Sequence, residues 1–197
     1  DAYIRDLFDD YADSFETDLV DDLKYAVPDL IKKELTLICK NLKQWKNNRF
    51  PKALDLGCGT GLISSAISDF VQTIDGVDLS EKMIALALKQ KRYNSTYVQE
   101  MTSFLFDHKN GFPKYDLIVS GDALVYLGDL EAIFKGVANR LNTKGLFCFT
   151  LEDLLNGTYV IRRSGRYAHS QSYIKTLSKQ FGFEVFTTKP IIPRTDN

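Results

Sequence analysis

The stretch Ala53-Leu54-Asp55-Leu56-Gly57-Cys58-Gly59-Thr60-Gly61-Leu62 decides the fold of this chain. Its first four residues predict a short, mostly apolar strand, and three alternating glycines then lead into a helix. A tight turn needs residues that adopt positive φ, and close approach by a ligand needs positions without a side chain. The stretch therefore predicts a strand, a ligand-binding loop and a helix, in that order.

Strands and helices alternate along the rest of the chain. Further strands are predicted at residues 73–77, 96–98, 115–120, 145–151 and 183–187, and helices at 62–70, 81–91, 130–141 and 170–181. Leu117-Ile118-Val119 is the continuous apolar run typical of a strand covered on both faces. This alternation predicts an α/β fold with a doubly wound, mostly parallel sheet, in which ligands bind outside the carboxyl ends of the strands.

The residues before this region read as helical. One helix is predicted to begin near Pro28, with an apolar face that recurs at helical spacing. That face comprises Leu30, Ile31, Leu35, Ile38, Leu42 and Trp45. We therefore expect a helical cap over residues 1–50 and a ligand-binding domain over residues 51–197, together forming one globular unit.

Composition narrows the class of protein. The chain has 197 residues, enough for one sizeable domain, and its net charge of −1 argues against non-specific attraction of nucleic acid. A local basic run fits a solvated helix face better than a binding patch. The run comprises Lys40, Lys43, Lys46, Arg49 and Lys52. No signal peptide or membrane span is recognisable, although the chain begins at Asp1, and we expect a cytoplasmic protein that binds no membrane.

The three cysteines predict neither a disulfide framework nor a metal site. Cys39, Cys58 and Cys148 are far apart in the sequence, and no histidine lies at metal-ligand spacing from any of them. In the glycine loop, Cys58 is interpreted as a small filler rather than a nucleophile. We therefore expect a reduced protein without a structural metal.

The glycine loop itself separates two kinds of ligand. Dinucleotide-binding loops have the spacing Gly-x-Gly-x-x-Gly, whereas here the spacing is Gly-x-Gly-x-Gly, with Leu62 next. Asp55 is poorly suited to a pyrophosphate but suits an ammonium group, such as the one in S-adenosylmethionine. Asp78, after the second strand, suits the two ribose hydroxyls. Glu100 and Met101, after the third strand, are placed to meet the adenine edge. Taken alone, Asp55 is also compatible with a turn-stabilising carboxylate.

Three stretches resemble motifs of the class I S-adenosylmethionine-dependent methyltransferases: residues 53–62, 76–83 and 115–119. Three others, residues 8–15, 124–130 and 164–170, resemble a bacterial group of predicted methyltransferases often joined to tetratricopeptide repeats. The resemblance implies a Rossmann-like sheet of seven strands. Since no residues remain for the seventh strand, we expect the natural chain to extend beyond Asn197.

The resemblance also implies roles for individual residues. Asp55, Gly57 and Gly59 would contact the methionine part of the cofactor, Asp78 would hold the ribose, and Leu79 and Met83 would lie beside the adenine. Glu100 stands where the family commonly has Asp, which leaves that adenine contact less defined. The remaining predicted cofactor contacts are Cys58, Gly61, Met101, Ser120 and Tyr11. Tyr11 and Phe15 are expected to form a lid or, equally, to pack onto the core.

The acceptor side is less determined. Asp122, Tyr126 and Arg166 are candidates for substrate binding, and His169 and Tyr167 are candidates for catalysis. The alternatives are that His169 opens the following helix with Tyr167 packed beneath it, that Arg166 belongs to a solvated basic loop, and that Asp122 is a turn residue. No catalytic triad is present, and methyl transfer needs none, because positioning and exclusion of water supply much of the rate.

Three functions are compatible with these residues. Methyl transfer from S-adenosylmethionine to a small-molecule acceptor accounts for most of them. A non-catalytic module that binds the same cofactor and a NAD(P)-dependent oxidoreductase are the alternatives. Nucleic-acid methylation is disfavoured, because the Asn/Asp-Pro-Pro-Tyr signature and a Pro-Cys nucleophile are absent. The acceptor and the oligomeric state are left open.

Overall fold

The computed structural model describes residues 2–12, 25–42, 49–108, 111 and 113–192. The helices are α1 (Ala2–Tyr11), α2 (Val27–Leu42), α3 (Leu62–Ala66), α4 (Glu81–Lys89), α5 (Met101–Phe106), α6 (Glu131–Arg140) and α7 (Gln171–Gln180). The strands are β1 (Phe50–Leu56), β2 (Val71–Asp78), β3 (Ser95–Val98), β4 (Tyr115–Ser120), β5 (Leu141–Phe149), β6 (Glu152–Leu154), β7 (Tyr159–Ile161) and β8 (Tyr167–Ser170). Within these ranges, no helix has the length and apolar character needed to span a membrane.

The central sheet has five parallel strands in the order β3-β2-β1-β4-β5. The chain winds outward from β1 in one direction through β2 and β3, and in the other through β4 and β5. The order therefore reverses between β1 and β4, and the glycine loop follows β1 at this point. This confirms the predicted doubly wound sheet and places the loop where such sheets bind ligands.

Two apolar layers cover the sheet, one on each face. Alternation along β4 supplies both of them: Leu117 and Val119 face a layer built with α2 and α3, whereas Ile118 faces a layer built with α5, α6 and α7. Each of these three side chains is fully buried. The continuous apolar run in the sequence thus corresponds to a strand covered on both faces, as predicted.

The last predicted strand, at residues 183–187, is wrong, because that segment has no regular secondary structure. Phe183 nevertheless packs against the core, with its ring centroid 5.8 Å from that of Phe134 and 6.2 Å from that of Phe147. Within the described residues, β5 pairs only with β4. Phe183 thus contributes to the core through its side chain, whereas Val185 and Phe186 are exposed.

A second, smaller sheet was not anticipated. It consists of β6, β8 and β7 in that order, with β8 parallel to β6 and antiparallel to β7. β8 leads directly into α7, whose first turn is capped by Ser170: its hydroxyl accepts a hydrogen bond from the Tyr173 N–H at 3.2 Å. Tyr167 and His169, the candidates for catalysis, lie on β8, and Arg166 directly precedes it.

Candidate functional site

The glycine loop adopts the backbone geometry that its sequence requires. Gly57, Gly59 and Gly61 have φ values of 77°, 52° and 93°, in the left-handed region that other residues rarely adopt. A Cβ atom on Gly57 would lie 2.4 Å from Cβ of Ala123, which is too close. The Gly57 and Cys58 amides donate to the Val77 carbonyl at 2.8 and 2.9 Å, so the loop is tied to the end of β2.

Asp78, the last residue of β2, is connected to the same loop. Its Oδ2 accepts a hydrogen bond from the Gly59 N–H at 2.8 Å, and its Oδ1 accepts one from the Ser80 N–H at 2.9 Å. Burial raises the pKa of this carboxyl, and the two backbone donors oppose that rise. Since each carboxylate oxygen has two lone pairs, both can accept a further hydrogen bond. Asp78 therefore fits a diol such as that of ribose.

Asp55 lies at the end of β1 and is fully buried. Its Oδ2 accepts a hydrogen bond from the Tyr93 hydroxyl at 2.8 Å, whereas its Oδ1 has no partner among the described residues. Burial raises the pKa of this carboxyl to about 7. An unsatisfied buried carboxylate oxygen attracts positive charge, so Asp55 and Asp78 together fit a ligand that has both an ammonium group and a ribose.

Tyr93 was missed by the sequence analysis. It lies between α4 and β3, and its ring packs where Gly61 and Gly76 leave room: Cβ atoms at those positions would lie 3.2 and 2.8 Å from ring carbons. Gly76 was the available signal, because a glycine inside a buried strand often marks a close approach by another group.

The other predicted cofactor residues lie at this edge of the sheet, but several are engaged in packing. Met83 is fully buried, Leu79 is partly buried, and the Ser120 hydroxyl, itself buried, donates to the Leu56 carbonyl at 2.7 Å. Cys58 is buried, and burial raises the pKa of its thiol well above the ordinary value. That thiol is therefore protonated at neutral pH, which supports its interpretation as a loop filler.

Glu100 and Met101 occupy the start of α5. The Glu100 carboxylate caps this helix, accepting hydrogen bonds from the Thr102 and Ser103 amides at 2.7 Å each. The Met101 side chain lies against the loop, with its sulfur 3.5 Å from the position of a Cβ on Gly57. Glu100 thus has a structural role as an N-cap, and Met101 borders the glycine loop directly.

Helix α1 packs beside the end of β2. The Ser80 hydroxyl donates to Oδ1 of Asp9 at 2.5 Å, and the Phe8 ring meets the Tyr126 ring edge to face at a centroid distance of 5.2 Å. The Tyr11 side chain and all of Phe15 lie outside the described part of the chain. The lid predicted from those two residues stays a prediction, while Phe8 and Asp9 make the contacts described for α1.

The three candidate substrate residues form one cluster. Arg166 pairs with Asp122 through Nη2 at 2.7 Å and with Glu152 through Nε at 2.6 Å, and its guanidinium lies 5.6 Å from the centroid of the Tyr126 ring. Glu152, on β6, was missed by the sequence analysis. Asp122 has a φ of 57°, as expected for a turn residue, yet its side chain also joins this cluster. Two carboxylates thus more than offset the single charge of Arg166.

His169 and Tyr167 lie on β8 in packed surroundings. His169 is 2% exposed, and its Nε2 is 2.8 Å from the Gly128 carbonyl oxygen, so Nε2 carries the proton and donates it. Burial lowers its pKa, which keeps the ring neutral at pH 7. The Tyr167 ring packs against Gly128 and Tyr159. These contacts support the packing alternative for both residues, and their catalytic roles stay predictions.

A metal is not suggested by the described ranges, because they contain no group of three or more His, Cys, Asp or Glu side chains arranged to hold one. This edge of the sheet brings together the buried Asp55 carboxylate, the partly buried Asp78 carboxylate, the glycine loop and the cluster around Arg166.

Residues 54–147 match the family model for a methyltransferase domain. The chain is 35% identical over 92 residues to the release factor glutamine methyltransferase of Fusobacterium nucleatum, a match that covers 45% of this chain and 26% of that protein. It is 24% identical over 112 residues to the malonyl-[acyl-carrier protein] O-methyltransferase of Bacillus anthracis, covering 55% and 40%. The chain therefore spans about a quarter to two fifths of the length of these relatives.

Among solved structures, the chain is similar to magnesium protoporphyrin IX methyltransferase from Synechocystis PCC 6803 with bound S-adenosylhomocysteine. The TM-score is 0.66 at 16% identity, over 93% of this chain and 89% of that one. At such low identity the likeness concerns the fold, and it confirms the Rossmann-like architecture predicted from the alternating strands and helices.

Proposed function

We propose that this chain is an S-adenosylmethionine-dependent methyltransferase, which transfers a methyl group from that cofactor to a small-molecule acceptor. One observation carries the proposal: the glycine loop joins the buried Asp55 carboxylate to the partly buried Asp78 carboxylate. Gly59 lies four residues after Asp55 in the chain, and its N–H donates to Asp78 at 2.8 Å. The two carboxylates match the two polar ends of the cofactor, its ammonium group and its ribose.

Bound S-adenosylmethionine would supply an activated methyl group on its sulfonium. The residues of the chain would bind and orient the cofactor and exclude water from it. Asp78 would hold the ribose, the glycine loop would admit the amino-acid end, and α1 would cover the site through Phe8 and Asp9. Positioning of this kind supplies much of the rate of a displacement that requires an in-line nucleophile.

The acceptor would bind beside the cluster of Asp122, Tyr126, Glu152 and Arg166. Because two carboxylates more than offset the charge of Arg166, this cluster favours a neutral or cationic acceptor over an anionic one. No general base is assigned, since an acceptor that arrives deprotonated needs none. Membership of the group joined to tetratricopeptide repeats rests on the three sequence stretches alone.

The first experiment measures cofactor binding. Calorimetric titration with S-adenosylhomocysteine is expected to give a dissociation constant in the micromolar range, and Asp78→Asn is expected to weaken it at least about tenfold, the effect of losing a charged hydrogen-bond acceptor. Asp69→Asn, at an exposed position outside the site, makes the same charge change and serves as the control. No binding by the unchanged protein would overturn the proposal.

The second experiment looks for the acceptor. The protein is incubated with a metabolite extract and S-adenosylmethionine labelled with deuterium in the methyl group, and mass spectrometry identifies compounds that gain the label. A labelled metabolite whose formation is lost in Asp78→Asn supports small-molecule methyl transfer. Cofactor binding without any labelled metabolite contradicts it and favours a non-catalytic binding module.

A further inference from the structure

The connection between α4 and β3 makes hydrogen bonds to the glycine loop and to β2. Gln90 donates to the Thr60 carbonyl at 2.8 Å and accepts from the Ser65 hydroxyl at 2.5 Å. Four residues later, the Asn94 N–H donates to the Ile74 carbonyl in β2 at 2.7 Å. Tyr93 lies between these two anchors, so the backbone on either side of it is held against the loop and β2.

The Tyr93 side chain fills the space between the loop and β2. Ring carbons would lie 3.2 Å from a Cβ on Gly61 and 2.8 Å from one on Gly76, and glycine at both positions leaves room for the ring. Its hydroxyl donates to Oδ2 of Asp55 at 2.8 Å. The other oxygen of this fully buried carboxylate has no partner among the described residues.

Several groups decide whether Asp55 is ionised. Burial and the nearby Asp78 carboxylate raise its pKa, whereas the Tyr93 hydroxyl and the Ser64 backbone N–H lower it. The Cys58 thiol also faces it and is uncharged at neutral pH. None of these groups is a cation. The Tyr93 hydroxyl is therefore the side-chain donor that stabilises the ionised form of Asp55 against the effect of burial.

We propose that Tyr93 is a positioning residue of the cofactor site, whose hydroxyl keeps the Asp55 carboxylate ionised and oriented so that its charge attracts the ammonium group of the cofactor. This inference rests on the proposed function. A buried charge acts strongly over several ångströms, because little water screens it. Tyr93 therefore acts through Asp55 on the amino-acid end of the cofactor and leaves the nucleoside end unaffected.

The test compares two ligands in Tyr93→Phe, which keeps the ring and removes the hydroxyl. S-Adenosylhomocysteine has the ammonium group, whereas 5′-methylthioadenosine has the same nucleoside without it. At pH 7 the variant is expected to bind S-adenosylhomocysteine about tenfold more weakly, the effect of losing one hydrogen bond to a charged group. Its affinity for 5′-methylthioadenosine is expected to be unchanged. Both dissociation constants are measured by calorimetry.

The pH profile separates an electrostatic role from a merely structural one. Only ionised Asp55 attracts an ammonium group, so the affinity of the unchanged protein for S-adenosylhomocysteine is expected to rise with pH through the region near 7. Without the Tyr93 hydroxyl, the pKa of Asp55 rises and the increase in affinity moves to higher pH. Tyr115→Phe is the matched control, because it also removes a hydroxyl that donates to a buried carboxylate, that of Asp75, at 3.1 Å.

The outcomes are distinct. If the unchanged protein binds neither ligand, the proposed function itself fails. If it binds both and Tyr93→Phe has the same affinities and pH profile, or loses both ligands equally, only the inference about Tyr93 is overturned. Asp55→Asn gives a second test that leaves Tyr93 in place. It is expected to weaken S-adenosylhomocysteine selectively and to flatten the pH profile, and an unaltered affinity for that ligand would also overturn the inference.

Discussion

At the scale of single residues, the Asp55 carboxyl makes the ligand-free protein sensitive to pH. Its pKa is about 7 in the folded protein and about 4 in an unfolded chain. Between these values the folded state binds more protons than the unfolded state, so stability falls as pH rises and the loss is complete above pH 7. The same ionised carboxylate is what the cofactor needs, so binding and stability oppose each other at this residue.

Asp55→Asn is therefore expected to stabilise the ligand-free protein at pH 8 while weakening its affinity for S-adenosylhomocysteine. The gain in the free energy of unfolding is on the order of 2–4 kcal/mol at pH 8 and near zero below about pH 3. Urea denaturation of both proteins at several pH values measures the difference, and the contribution of Asp78 is present in both. Parallel pH dependences in the two proteins would contradict the argument.

At this scale, the role of a residue can be predicted when the signal lies in the residues next to it in the sequence. The glycine loop, Asp55 and Asp78 were recognised because their spacing relative to predicted strands carries the signal. Tyr93 and Glu152 were not, because their roles depend on contacts with Asp55 and Arg166, which lie 38 and 14 positions away. Only the fold brings such pairs together.

At the scale of elements, a buried arginine at the end of α6 donates hydrogen bonds to the C-terminal end of α5. Arg140 is 1% exposed, and it donates to the carbonyls of Phe104 at 2.6 Å, Leu105 at 3.0 Å and Asp107 at 2.9 Å. These carbonyls lie at the C-terminus of α5, where helix carbonyls lack partners within the helix and attract a cation. The burial of the guanidinium is thus offset by hydrogen bonds to the end of a short helix.

Arg140→Met is expected to destabilise the protein by about 3 kcal/mol, because it leaves buried carbonyls without a donor. The free energy of unfolding is measured by urea denaturation. Arg163→Met, at an exposed position in the loop between β7 and β8, is the control and is expected to change stability by less than about 0.5 kcal/mol. If both substitutions changed the free energy of unfolding equally, the hydrogen bonds of Arg140 would not contribute to stability, and the argument would be wrong.

Elements differed in how far the sequence predicted them. The long strands of the central sheet and the amphipathic helices that cover it were predicted, because apolar residues run continuously or recur at a characteristic spacing in each of them. The strands β6, β7 and β8 have three or four residues each, and β7 is exposed, so no period develops. Residues 183–187 show the opposite case: they have the apolar composition of a strand, yet only Phe183 packs against β5 and α6, and Val185 and Phe186 are exposed.

At the scale of the whole molecule, the site is where separate parts of the chain meet. Helix α1 reaches it through Asp9 and Phe8, the central sheet through Asp55 and Asp78, and the small sheet through Arg166. A ligand that binds between these parts binds only the folded protein. Its binding free energy therefore adds to the stability of the whole unit rather than to one element.

We expect S-adenosylhomocysteine at a hundred times its dissociation constant to raise the free energy of unfolding by about 2.7 kcal/mol. For a chain of this size, that corresponds to an increase in melting temperature of about 5–10 °C. The increase should continue with the logarithm of ligand concentration, because linkage does not saturate. Thermal denaturation over a range of ligand concentrations measures the increase in melting temperature. Because Asp78→Asn binds the ligand more weakly, it is expected to need correspondingly more ligand for the same increase. A shift of equal size in that variant at every concentration would place the binding elsewhere on the molecule.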